Sequence, residues 1–230
     1  MALTRLGSLA ISSLPAISGA NLTNLPAANI TGTLPAISGA NLTGIASDFV
    51  KLSTVEVSSG VSSIEFIDGT NGADFSSTYK TFMFHIDGLE MSADNVRSKM
   101  QFGTGGSFRS TSGDYSEVQI TKTGGSGVTN TATTNATSCR LTSGGPDSGD
   151  NGSSQNGTVF CYNFSNSSSR AMIYSVGLIN NSDSGGVGNS NLHFCTWCFE
   201  YTNGAIDRVK FFPDSGTIDD GSVTMYGMKP

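Results

Sequence analysis

The chain reads as an all-β protein: an extended, repetitive stalk that needs partner copies, followed by an antiparallel β-sandwich head of jelly-roll type. Three observations carry this expectation. Glycine occurs 29 times and Ser, Thr and Asn recur throughout, which breaks up any long helix. No window of about twelve residues sustains an apolar period near 3.6. Short runs of period two, separated by Gly, Asn, Ser and Asp clusters, fill the chain from Val55 onward.

The N-terminal region is organised by repetition. Leu14 to Thr23 reads LPAISGANLT, and Leu34 to Thr43 reads the same ten residues again. A shortened copy, Leu25-Pro26-Ala27-Ala28-Asn29-Ile30-Thr31-Gly32, lies between them. Each unit offers only a few large apolar side chains, each contributing about 1.5–3 kcal/mol when buried. Ordering each residue costs roughly 1–2 kcal/mol, so such a strip does not stabilise itself alone. Pro15, Pro26 and Pro35 remove backbone donors and forbid a continuous helix. Burial along a common axis by identical copies is the simplest remedy. It would use Leu14, Ile17, Leu22, Leu25, Ile30, Leu34, Ile37, Leu42 and Ile45 as the shared core of a stalk built from several copies. Two other readings of the same residues are a short pentapeptide-type β-helix, from the Ala-Asn-Leu/Ile-Thr units, and a disordered linker.

The run Leu-Pro-Ala-Ile-Ser-Gly-Ala-Asn-Leu-Thr-Gly-Ile, from Leu34 to Ile45, resembles the repetitive N-terminal segments of tail-fibre and other virion proteins of tailed bacteriophages, particularly marine ones. The ending from Gly216-Thr217-Ile218 to Gly221-Ser222-Val223-Thr224-Met225-Tyr226-Gly227-Met228-Lys229 resembles the closing strand of the β-rich heads that follow such repeats. The resemblance implies a homotrimeric fibre on a virus particle, assembled in the host cytoplasm. Residues 1–12 would attach it to other virion proteins, 13–45 would form the stalk, 46–54 a linker and 55–230 the head. The expected role is host recognition as a short tail fibre. A capsid-bound head fibre or decoration protein is the alternative, and a glycan-degrading tailspike a second one.

Within the head, strands are expected at Ser63–Ile67, Tyr79–Ile86, Val96–Phe102, Tyr115–Thr121 and Ser138–Leu141, then at Thr158–Phe164, Ala171–Ile179, Leu192–Tyr201, Ile206–Phe212 and Ser222–Tyr226. Thr123–Thr137 and Thr142–Gly157 read as long polar loops, the natural place for contact with a host glycan or protein.

Charge and spacing weigh against other classes. A net charge of −6 and a pI near 4.7 disfavour nucleic-acid and anionic-membrane partners, which call for basic patches. Arg97 and Lys99 make the nearest basic cluster, on one face of a strand. No apolar run is long enough to span a membrane, and Met1 to Gly7 makes a poor signal peptide. Cys139, Cys161, Cys195 and Cys198 allow a disulfide framework by arithmetic, but cytoplasmic synthesis favours thiols. Cys195-Thr196-Trp197-Cys198, with His193 before it, has metal-like spacing, yet on a strand the two cysteines fall on opposite faces. Asp87, Glu90, Glu117 and Glu200 are candidate glycosidase carboxylates, His85 and His193 the only histidines. Asp147, Asp150, Asp183, Asp219 and Asp220 match no calcium loop. The expectation is a non-enzymatic protein without metal or cofactor.

Overall fold

The computed structural model describes residues 48–123, 127–142, 154–181, 189–201 and 204–230. The nine stalk candidates, Leu14 to Ile45, lie outside the described residues, as do Asp147, Asp150 and Asp183. Among the described residues every regular element is a strand, and every pairing is antiparallel.

In chain order these are β1 (Phe49–Val57), β2 (Ile64–Ile67), β3 (Thr81–Met91), β4 (Ser98–Thr104), β5 (Ser107–Phe108), β6 (Tyr115–Thr123) and β7 (Val128–Ala136). They continue with β8 (Cys139–Arg140), β9 (Ser154–Tyr162), β10 (Ala171–Asn181), β11 (Asn189–Phe199), β12 (Arg208–Pro213) and β13 (Ile218–Met228). A larger sheet has the order β1-β13-β3-β9-β10-β11-β6-β7. A smaller one runs β2-β12-β4-β5, with β8 also paired to β4.

The two sheets share one apolar core, giving a sandwich-like arrangement. Phe84 on β3 meets Phe66 on β2 and Phe211 on β12, each at 5.3 Å between ring centroids. Phe102 on β4 meets Phe199 on β11 at 5.5 Å. Edge-to-face pairs of this kind add about 0.5–1.5 kcal/mol each beyond the area they bury. The alternation in β3 shows how sequence sets the face: Phe82, Phe84, Ile86, Leu89 and Met91 are buried, while His85, Asp87 and Glu90 are exposed. A bulge between Ile86 and Leu89 resets the period. There Gly221 of β13, at φ 105°, passes so close that a Cβ would sit 2.5 Å from the Gly88 carbonyl oxygen, so only glycine fits.

Three segments differ from the sequence expectation. Thr123–Thr137 is not a loop, because Val128–Ala136 forms strand β7 on the edge of the larger sheet, paired with β6. Its side chains are almost all exposed, so it needs no apolar alternation, and its threonines suit extended backbone. The segment 46–54 contributes a strand from Phe49 onward rather than a linker, because β1 pairs with β13 from Phe49↔Met228 to Val57↔Gly221. Of the loop expected at Thr142–Gly157, residues 154–157 belong to β9, and 143–153 lie outside the described residues.

Candidate interaction surface

The residues singled out for chemistry are dispersed. Cys195 is buried on the inward face of β11, its Sγ 3.7 Å from the Leu141 carbonyl oxygen, whereas Cys198 is only partly buried. The register of β11 against β10 is unbroken, so the two thiols point to opposite sides of the sheet. All four cysteines are unbridged. Burial raises the thiols of Cys139, Cys161, Cys195 and Cys198, holding them as small apolar groups. Arg97 and Lys99 both pair with Asp214. His85 is exposed on β3. Asp87 and Glu90 line an open groove of about 520 Å³ with Glu56 and Asp220. Asp219 is exposed, like Asp220. Glu200 accepts from Ser116 Oγ at 2.7 Å and pairs with Arg170 at 2.9 Å.

Glu117 is different because it is buried. It sits on the inward face of β6, and Arg140 on β8 donates to its Oε2 at 2.9 Å. Burial pushes the carboxyl above its ordinary range, and the Arg140 contact partly counters that. Arg140 also donates to Thr133 Oγ1 at 3.0 Å, which ties the edge strand β7 to β6 and β8.

Glu117 belongs to a wider layer. Inward-facing Gln119, Thr121, Gln155, Ser175 and His193 are also buried. They lie in adjacent registers: Ser175 opposite Cys195, Cys195 opposite Gln119, and His193 opposite Thr121. Thr121 Oγ1 and His193 Nδ1 are 3.3 Å apart. Desolvation lowers the His193 imidazole to about 4, so it is neutral at pH 7.

The outward face of the same strands carries the opposite chemistry. Val118 and Ile120 on β6, Phe194 on β11, Met172, Tyr174 and Leu178 on β10, and Tyr162 on β9 are all exposed. The ladder makes them neighbours. Tyr174 lies between Phe160 and Thr196, Thr196 is opposite Val118, and Val176 leads through Phe194 to Ile120. Lys122 is the one charged residue at the outward positions of β9, β10, β11 and β6 among the described residues. A cavity of about 300 Å³ opens in this region, lined by Val118, Met172, Thr196, Trp197 and Cys198 among others. Isolated exposed apolar residues are ordinary, whereas a contiguous set makes this face a candidate interaction surface.

This surface lies on strands, not in the polar loops where the sequence places the contact residues. In Tyr115-Ser116-Glu117-Val118-Gln119-Ile120-Thr121-Lys122, period two separates two sets of residues. Hydrophobicity alone turns Val118 and Ile120 toward the core, whereas the fold turns Glu117, Gln119 and Thr121 inward. The available signal was the clustering of outward apolar positions on strands that become neighbours only through the fold.

No family model, no curated protein and no solved structure matches this chain.

Proposed function

We propose that this chain is a structural protein of a bacteriophage particle, a homotrimeric short tail fibre that contacts the host without catalysing a reaction. The observation that carries the reading is the identical ten-residue repeat at Leu14–Thr23 and Leu34–Thr43. It supplies regularly spaced Leu and Ile in a segment too poor in apolar groups to order itself as a single chain.

The strand order supports the jelly-roll part of the reading. Of the larger sheet, β1-β13-β3-β9 would be one four-stranded layer, and β2-β12-β4-β8 the other. Successive strands then alternate between layers, β1 to β2, β3 to β4, β8 to β9, and β12 to β13. That is the double-sheet arrangement shared by viral capsid and lectin domains. On this reading β5, β6 and β7 are inserted before β8, and β10 and β11 after β9. The inserted β10, β11 and β6 widen one sheet and carry most of the apolar outward face.

Residues 1–12 would join the stalk to other virion proteins, and the head would meet a host glycan or protein. The test uses the full chain and the particles that carry it. Leu22→Asp with Leu42→Asp should convert trimers to monomers in mass photometry. Gold-labelled antibody to the head should mark the tail tip by electron microscopy, and purified trimer should compete with particles for adsorption to host cells. Trimers that survive both substitutions would remove the stalk from the reading. Label on the capsid instead would make the chain a head fibre or decoration protein.

A further inference from the structure

We infer that the outward face of β9, β10, β11 and β6 is a contact between heads, occupied by a second copy of this chain. The inference deepens the fibre reading and rests on it only for the number of copies.

Area is the first argument. Met172, Val118 and Leu178 are each more than half exposed, at 57%, 52% and 52%, and Tyr162, Ile120, Tyr174 and Phe194 lie between 37% and 44%. Phe and Tyr side chains carry on the order of 150–250 Å² apiece and aliphatic ones less, and each of these is exposed only in part. With the partly exposed Phe160, Val176 and Leu192 they present several hundred Å², approaching the roughly 800 Å² each partner gives to a stable interface. A patch of that order lies at the upper end of what soluble monomers usually expose.

Charge is the second argument. The face has Lys122 at its margin and no other charge at its outward positions among the described residues. A charged partner would find nothing complementary, whereas copies of one uncharged face can pack around a common axis without burying an unpaired ion. Identical copies supply that partner at equal stoichiometry, and symmetry places it.

Shape is the third. An open depression of about 300 Å³ lies beside Val118, Met172 and Thr196, wide enough to admit part of a large apolar side chain from the neighbouring head. Phe194, Tyr174 and Leu178 protrude from the same face. Buried anchors seated in such pockets carry most of the binding energy at interfaces.

The experiment is hydroxyl-radical footprinting of the full chain, assembled and after dilution below its dissociation point. Met172 and Phe194 should oxidise at least tenfold more slowly in the assembly than in the dissociated chain. Phe194→Ser with Leu178→Ser should weaken association at least tenfold while leaving the far-ultraviolet circular dichroism of strands unchanged. Should a trimer form with Met172 and Phe194 oxidising at their dissociated rates, the head contact is overturned and the stalk alone assembles the fibre. Trimers of the Leu22→Asp, Leu42→Asp chain that still protect Met172 would keep the head contact and remove the stalk. A chain monomeric at every concentration overturns both.

Discussion

The two halves of the larger sheet obey opposite rules. On β3 and β13 the inward positions are Phe82, Phe84, Ile86, Val223 and Met225, all buried. β3 turns His85 and Asp87 to solvent. On β10, β11 and β6 much of the inward layer is polar, with Glu117, Gln119, Thr121, Ser175 and His193 buried, while Met172, Tyr174, Phe194, Val118 and Ile120 face outward. The first half is a two-layer core with one wet side. The second half places its apolar groups where the single chain leaves them uncovered, and its polar groups where solvation is lost. Burying a polar group without full compensation costs roughly 1–3 kcal/mol, so an inverted pattern is expected where a further surface restores the apolar burial.

The largest expected effect tests the ordinary half. Phe84 is fully buried, with ring contacts to Phe66 and Phe211. Phe84→Ala should destabilise the fold by about 3–5 kcal/mol through lost transfer energy and the cavity left behind. Urea unfolding of the dissociated chain measures it. Phe194→Ala, the same change on the inverted half, should move that curve much less. Equal shifts would mean that the outward face of β11 is part of the single-chain core after all.

A smaller effect tests the polar layer. The imidazole of His193 is lowered by burial to about 4 from its ordinary 6.5. The unfolded chain takes up the proton as pH falls through 6.5, and the folded chain only near 4. Between those values the unfolded state binds more protons, so stability contributed by neutral His193 is present above about pH 6.5 and lost progressively toward pH 4. The loss is on the order of 2–3 kcal/mol. Glu117 acts in the opposite sense, since its raised carboxyl takes a proton earlier in the folded state. Comparing His193→Asn with the wild type isolates the histidine: the pH 4–6.5 slope of unfolding free energy should flatten in the variant. An unchanged slope would show that His193 is as hydrated in the fold as in the unfolded chain.

How much of this was legible depends on which rule a segment obeys. The strands of the ordinary half, such as Thr81-Phe82-Met83-Phe84-His85-Ile86, announce both their existence and their buried face, because one set of alternating positions is apolar and the other is not. β10 and β11 announce their existence only, since Met172, Tyr174 and Leu178 compete with Ala171, Ile173 and Ile179 for the inside. β7 announces neither. An edge strand exposed on both sides asks its sequence only for extended backbone, which Val128-Thr129-Asn130-Thr131-Ala132-Thr133 provides while reading as loop. The outward apolar face could not be read from any one strand. It is assembled from residues as far apart as Val118 and Phe194, brought together by the pairing of β6 with β11.

The smallest expected effect on folding is therefore the sharpest test of the inverted half. Val118 and Ile120 are 52% and 44% exposed on β6, and Thr keeps the branched shape that strands favour. Val118→Thr with Ile120→Thr should change the unfolding free energy of the dissociated chain by no more than about 0.5 kcal/mol. If copies of the chain cover these residues, assembly stabilises the fold by mass action, and Tm rises with protein concentration. The double variant should then keep the wild-type Tm at high dilution and fall progressively below it as concentration increases. A Tm lowered equally at every concentration would assign Val118 and Ile120 to the single-chain fold. The inversion would then be a packing solution internal to the single chain rather than the imprint of a neighbour.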